Sequence, residues 1–438
     1  MALDAKTNSL EEYWIPFTDN RGFKKDPRLV VQAEGVWMTD HKGGKVIDGS
    51  SGLFCSPAGH CHPKIVEAVH KAMSELTFVS PFSTNHPLAF ALAEEVARIT
   101  PEGLNHVFFT NSGSESIDTA MKIVMAYHTA RGENRRHFVS REKAYHGVNI
   151  GGVSLSGLVN NRRAFPVTMP GIVHMRHTLT EMELKVPGQR VSGLDRAEDL
   201  QRIIDNYGAE TIAAVFVEPV GGSAGCLPPP VGYLKRLREI CDQHGLLLVF
   251  DEVITGFGRV GGTFAADAFE VVPDIITMAK AITNGSMPMG AVAVRDDIYE
   301  TVTDKQVMGG IELFHGYTYS GHPGACAAGL AALSIYREEG LMDRAAELAP
   351  YFQEALHSLA DHALVKDIRS IGMMGAVELF PGEVPGVRGV KMQSDLFWNG
   401  CHVKFTGENG IFAPMFISEK SDIDLIVGKF RETLDTVE

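Results

Sequence analysis

The 438-residue chain lacks any run of about 18 apolar residues, so no segment reads as a membrane-spanning helix. It lacks a lysine- and arginine-rich run as well. With a formal net charge of −14, it is a poor candidate for a surface that grips nucleic acid or anionic lipid. Only six cysteines occur (Cys55, Cys61, Cys226, Cys241, Cys326 and Cys401), with no CxxC spacing. They read as reduced thiols of a cytosolic protein, neither a disulfide framework nor a zinc site. His60 and His62 flank Cys61, but Pro63 puts them in a turn and no further ligand cluster accompanies them, so no metal is expected. Met1–Leu10 is polar with no apolar leader, so the expected location is the cytoplasm. Internal repeats and low-complexity linkers are absent too.

The remainder is ordinary for a globular protein, with 45% hydrophobic and 21% charged residues, and the length suits two or three structural units. Residues 29–49 alternate and turn at Gly43-Gly44, as in a small antiparallel meander. Helical spacing follows, with Ile65, Val66, Val69, Met73 and Leu76 on one face, then Leu92, Val96 and Ile99 on another. A third helix over Ser114–Ala130 has Ile117, Met121, Val124 and Met125 as its expected buried stripe. Short apolar strands are expected at Val107–Thr110, His137–Val139, Ala213–Glu218, Leu246–Asp251 and Ile275–Met278, and helices at Tyr233–His244 and Pro323–Tyr336. Apolar strands alternating with helices predict an α/β fold with a mostly parallel sheet covered on both faces. Gly171–Ala197 has no clear period and reads as an excursion. The expected units are an N-terminal arm and meander over 1–60, a large unit over 61–335, and a C-terminal small unit over 336–438 that joins the meander.

Four segments carry chemistry. Ser112-Gly113-Ser114-Glu115 has the S-x-x-E capping pattern before an amphipathic helix, whose free N–H groups and dipole favour an anion; the plain alternative is a well-capped helix. Asp251 ends the strand LLLVFD, where open α/β sheets bind ligands, and Glu218 ends AAVFVE. A carboxylate there could keep a pyridine nitrogen protonated and make the ring an electron sink. Lys280 ends another apolar run; among apolar walls it would lose proton affinity and become a nucleophile able to form a Schiff base. Gly256–Gly261 reads GFGRVG, a literal match to a dinucleotide fingerprint, but Gly262 and the short stretch before Pro273 leave no room for the required helix.

These residues resemble the class III pyridoxal-phosphate aminotransferases of fold type I. The matching segments are NSGSES (111–116), YHG (145–147), VEP (217–219), FDEVITGFGR (250–259), Ala279-Lys280 and HGYTYSGHP (315–323). YWIPFT, LPPPVGYLKRLREIC and TNGSMPMGAV bring the chain nearest to the ω-amino acid–pyruvate (β-alanine–pyruvate) group. The resemblance implies pyridoxal 5'-phosphate as cofactor and a mostly parallel seven-stranded sheet, with a smaller α+β unit built from both termini. Lys280 would bind the cofactor aldehyde, and Asp251 would pair with its ring nitrogen. Tyr145 would stack on the ring, with Val253 on the other face and His146 beside it. Ser112, Gly113 and Ser114 would hold the phosphate, and Glu218 would support the hydroxyl side. Thr318, next to Tyr317, would reach the phosphate in the neighbouring subunit, so a homodimer, alone or within a tetramer, would complete each site. Trp14, Leu53, Phe54 and Phe82 would line the substrate space, though an arm residue such as Trp14 could instead anchor on the partner.

One departure stands out. Where relatives carry an arginine that clamps a carboxylate, His402–Gly407 (HVKFTG) offers Lys404. Lysine lacks the two-pronged fork of arginine, so the grip could be looser, passed to Arg259 or Arg163, or suited to a sulfonate such as taurine. The expected activity is transfer of an amino group from an ω-amino acid or primary amine to a keto acid, pyruvate, in two half-reactions. Decarboxylation or amino migration on the same cofactor, and a non-catalytic scaffold, are the rivals.

Overall fold

The computed structural model describes residues 10–165, 168–304 and 310–437. Three strands come first: β1 (Val30–Glu34), β2 (Trp37–Asp40) and β3 (Lys45–Asp48). The middle of the chain gives β4 (His106–Thr110), β5 (His137–Arg141), β6 (Ile172–Met175), β7 (Ile212–Val217), β8 (Leu247–Asp251), β9 (Ile275–Ala279) and β10 (Gly290–Val294). The C-terminal part gives β11 (Val365–Ile371), β12 (Met374–Leu379), β13 (Cys401–His402), β14 (Lys404–Thr406) and β15 (Asn409–Phe412).

The middle strands form one seven-stranded sheet in the order β4-β10-β9-β8-β7-β5-β6. Pairing is parallel from β9 through β8, β7 and β5 to β6, whereas β10 runs antiparallel to both β9 and β4. Two reversals restore direction, so β4 also points the way of β9. The carboxyl ends of β4, β5, β7, β8 and β9 therefore share one edge. Strands β7, β8, β9 and β10 are buried along their whole length, as expected where helices cover both faces.

The expected meander is present, and β13 adds to it in parallel with β3, which joins the two ends of the chain in one sheet. After Val403 the chain enters β14 of a second antiparallel sheet, β11-β12-β15-β14. Residues 401–406 thus bridge the two small sheets. Among the described residues no helix is long and apolar enough to cross a membrane.

Three sequence expectations need correcting. The stretch Gly171–Ala197 is not wholly an excursion, because Ile172–Met175 pairs with β5 at the sheet edge; four residues are too few to show a period. On the helix Gly113–Ala130, Met125 lies off the buried stripe and is exposed, while Ile117, Met121 and Val124 are buried. On the helix Pro63–Glu75, Ile65 is buried but Val66 and the following Leu76 are exposed.

The GFGRVG segment opens no helix. Its Arg259 is instead among the largest fully buried side chains. Nη1 donates to the carbonyls of Met373 (2.9 Å) and Pro414 (2.7 Å), Nη2 donates to Ser51 Oγ (3.3 Å), and the guanidinium lies over the Phe416 ring. Arg259 therefore fastens the loop after β8 to both the N-terminal and C-terminal parts of the chain. Arg259→Met should strand two buried carbonyls and cost about 2–5 kcal/mol, read as a lower urea midpoint; an unchanged midpoint would show that Arg259 is not a fastener.

Candidate active site

Beyond the shared strand edge lies a cavity of about 460 Å³, lined by residues from the arm, the large sheet and the C-terminal part. Asp251, the last residue of β8, is buried there. Its Oδ2 accepts from His146 Nδ1 (2.8 Å) and its Oδ1 from the Val253 amide (3.2 Å). Because Nδ1–H is committed to the carboxylate, His146 keeps a buried Nε2 with no partner among the described residues. Glu218, directly after β7, accepts from the Tyr145 amide (2.9 Å) and the Gly222 amide (3.0 Å). Burial, followed by the effect of Asp251, raises its carboxyl above the usual range against the pull of His146 and Arg141. Tyr145 is half-buried and lines the same space.

Lys280 follows β9 at φ +52°, a left-handed kink that costs a non-glycine residue about 1–2 kcal/mol. Its side chain is largely enclosed, with part of its surface open to the cavity. Burial lowers its affinity for a proton, although Cys55, Asp251 and Glu218 work against that shift. An amine held neutral more readily than an ordinary lysine is a nucleophile and a proton carrier.

Ser112 caps the helix Gly113–Ala130 by accepting from the Glu115 amide (3.2 Å). The capping box is shifted by one residue: Glu115 Oε2 reaches the amide of Asn111 (2.7 Å), not that of Ser112. This turns the carboxylate away and leaves Gly113 and Ser114 to face the cavity, while Ser112 is occupied by the cap. A Cβ on Gly113 would fall 2.9 Å from Val253 Cγ2, so glycine allows the helix start to approach Val253. Gly147 has φ +97°, and a Cβ there would fall 2.5 Å from Ser114 Oγ. Ser114 Oγ accepts from the Val148 amide (3.0 Å), which leaves its O–H free to donate. A helix start, a free hydroxyl and close glycines make a fitting phosphate seat, and Asp251 supplies an acid for a ring nitrogen.

Leu53, Phe54 and Lys404 line the cavity, whereas Trp14 (88% exposed) and Phe82 (56% exposed) stand outside it in this chain. Tyr317 lies against the helix start, its OH donating to the Glu115 carbonyl (3.3 Å), and Thr318 beside it is exposed. Arg259 is engaged by carbonyls, and Arg163 is exposed and does not line the cavity. Sequence reasoning overlooked Phe17, Asn161, Ser223 and Phe405 as lining residues. Phe17 sits within the quoted YWIPFT run and Phe405 within HVKFTG, but nothing local marks Asn161 or Ser223.

The profile of the class III aminotransferases matches residues 20–434. An omega-aminotransferase of Caulobacter vibrioides is 48% identical over 99% of this chain and 100% of its own. A beta-alanine–pyruvate aminotransferase of Pseudomonas aeruginosa is 45% identical over 98% of this chain and 96% of its own. The crystal structure of an omega transaminase from Pseudomonas jessenii in complex with PMP superposes with a TM-score of 0.92 at 31% identity, covering 98% of this chain and 97% of that one.

Gly147→Ala should push Ser114 out of place and lower affinity for pyridoxal phosphate at least about tenfold, the loss of one charge-assisted hydrogen bond. Titration of the cofactor into cofactor-free protein would measure it, and unchanged affinity would remove Ser114 from the seat.

Proposed function

Because the chain belongs to the class III aminotransferases, we propose that it moves an amino group from an ω-amino acid such as β-alanine, or from a primary amine, to pyruvate. The products are the carbonyl compound and alanine. The observation that carries this reading is the pairing of Lys280 with a second ammonium, Lys404, in one cavity that also has apolar walls. Lys404 is half-buried, and desolvation is what lowers its proton affinity; among the described residues no acid offsets that burial. A cation left without a counter-ion suits the carboxylate of a keto acid or ω-amino acid.

Pyridoxal phosphate, when bound, supplies an electron-withdrawing ring that makes the proton on the amine-bearing carbon acidic. Asp251, braced by His146, would hold the proton of the ring nitrogen. Gly113 and Ser114, with Ser112 keeping the helix start in shape, would hold the phosphate. Tyr145 and Val253 would face the ring from opposite sides, and Glu218 would order the Tyr145 and Gly222 backbone beside it. Lys280 Nζ would anchor the cofactor and, once displaced by substrate, take the proton from the donor carbon and return it. Leu53 and Phe54 would receive the donor's carbon chain.

Thr318 we read as serving the neighbouring subunit's cofactor in a homodimer. The exposed Phe78, Phe82 and Tyr319 cluster around its loop: Phe78 meets Tyr319 at 5.8 Å, and Phe82 abuts Gly316. Exposed aromatics gathered in this way suit burial by a partner. Trp14, on the exposed arm, would contribute at the same boundary. A sulfonate donor such as taurine is a second reading, favoured because a lysine point charge needs no planar two-pronged acceptor.

The purified enzyme should show ping-pong kinetics with pyruvate across a panel of β-alanine, taurine, 4-aminobutyrate, diamines and 1-phenylethylamine. Lys280→Ala should be silent, and borohydride should fix the cofactor on Lys280. Turnover of an amine without a keto acid would point to decarboxylation or amino migration instead.

Lys404→Ala should raise the KM for pyruvate on the order of ten- to a hundredfold, the worth of one hydrogen bond to a charged group, and leave simple amine donors nearly unchanged. Unaltered pyruvate kinetics would make Lys404 a bystander.

Thr318→Ala should weaken cofactor binding, and mixing it with Lys280→Ala should restore one working site per mixed dimer. A fully active monomer in sedimentation would overturn the shared site.

A further inference from the structure

The longest run of left-handed backbone among the described residues lies in the cavity wall. The φ angles are +46° at Ser51, +63° at Gly52, +104° at Leu53 and +62° at Phe54. Only one of these residues is glycine, so the conformation must be imposed by its surroundings. Asp48 imposes it from one side. Its Oδ1 accepts from the Ser50 amide (2.9 Å), and its Oδ2 accepts from the Gly52 amide (2.6 Å) and from His60 Nε2 (2.9 Å). The carboxylate is fully enclosed. Burial opposes its charge, yet His60, His402 and the Ser50 amide together hold its carboxyl below the usual range. From the other side, Ser50 Oγ accepts from the Lys404 amide (2.9 Å) and donates to the Ile411 carbonyl (3.0 Å), while Ser51 Oγ donates to Ala413 O (2.5 Å). The turn is therefore hooked to Asp48 at its start and to the strands around Lys404 along its side. It presents Leu53 and Phe54 to the cavity.

We propose that Asp48 and His60 are positioning residues for the amine substrate: by holding the turn Ser51–Phe54 they fix the apolar wall of the cavity and so set which amines fit. This rests on the reading that the cavity accepts the donor amine. It also gives His60 a task other than metal binding. The two residues touch neither the phosphate seat nor Asp251, so the effect falls on substrate fit and not on cofactor retention.

Two measurements test this on the holoenzyme. In Asp48→Ala, amide hydrogen exchange over residues 49–54 should accelerate about tenfold or more, with residues 247–251 unaffected, since two amides lose their acceptor. The KM for 1-phenylethylamine should rise at least about tenfold and that for β-alanine no more than about threefold, at unchanged pyridoxal phosphate affinity. His60→Ala leaves both amide acceptors in place, so the same ratio should move about three- to fivefold, and His60→Gln, which keeps a donor, should restore it. If Asp48→Ala does not fold, the His60 pair decides alone. An unchanged KM ratio, unchanged exchange over 49–54, or a loss of cofactor affinity in step with KM would overturn the proposal. If the wild type transaminates neither amine, it is the reading of the function that falls, and the exchange measurement, which needs no turnover, still decides whether Asp48 holds the turn.

Discussion

The site depends above all on strand direction. Parallel pairing of β5, β7, β8 and β9 sends their carboxyl ends to one edge, and the double reversal through β10 brings the end of β4 there as well. Residues far apart in sequence meet because Ser112, Glu218 and Lys280 each follow a strand within a residue or two and Asp251 ends one. The strands supply rigidity and the loops beyond them supply chemistry, the division of labour expected of an open α/β sheet. The Asp251–His146 contact would not survive a reversal of β8, nor the place of Lys280 in the cavity a reversal of β9, since each would then face the opposite edge.

Much of this was legible because the strands are short, continuous apolar runs. A run such as Leu246–Asp251 ending in an acid announces both a buried strand and a charged group at its end. The helix at Gly113–Ala130 was legible for a related reason, with Ser112 and Glu115 marking its start before a regular apolar stripe. The edge strand Ile172–Met175 was hidden by its brevity. The shift of Glu115 from Ser112 to Asn111 was hidden too, because both partners offer an identical amide and only the fold selects between them. The cavity positions of Asn161 and Ser223 are set by which segments meet, something no local pattern records.

The left-handed turn at Ser51–Phe54 lies at the far limit of legibility. A sequence such as Ser-Gly-Leu-Phe gives no reason for positive φ at leucine and phenylalanine. The reason lies in Asp48, the last residue of β3, and in Ser50 reaching strands that come 354 and 361 residues later. Local propensity and global packing disagree here, and packing wins. Such disagreements belong where function needs a shape the backbone would not choose.

Electrostatics completes the argument. Both acids of the cavity are already committed: Asp251 to His146, and Glu218 to two amides. Arg259, the nearby arginine that sequence could nominate for a carboxylate, is bound to carbonyls and serves the fold. Lys280 and Lys404 remain, two amines in partly enclosed positions whose burial disfavours their charge and, at Lys404, is compensated by no acid among the described residues. An enclosed cation without a partner is costly unless it is neutral or meets an anion. Lys280 can resolve that cost by losing its proton, which is what the proposed chemistry would require. On the function proposed above, the cost at Lys404 would be relieved by a substrate anion, and the same electrostatic problem would yield a nucleophile at one position and a recognition group at the other.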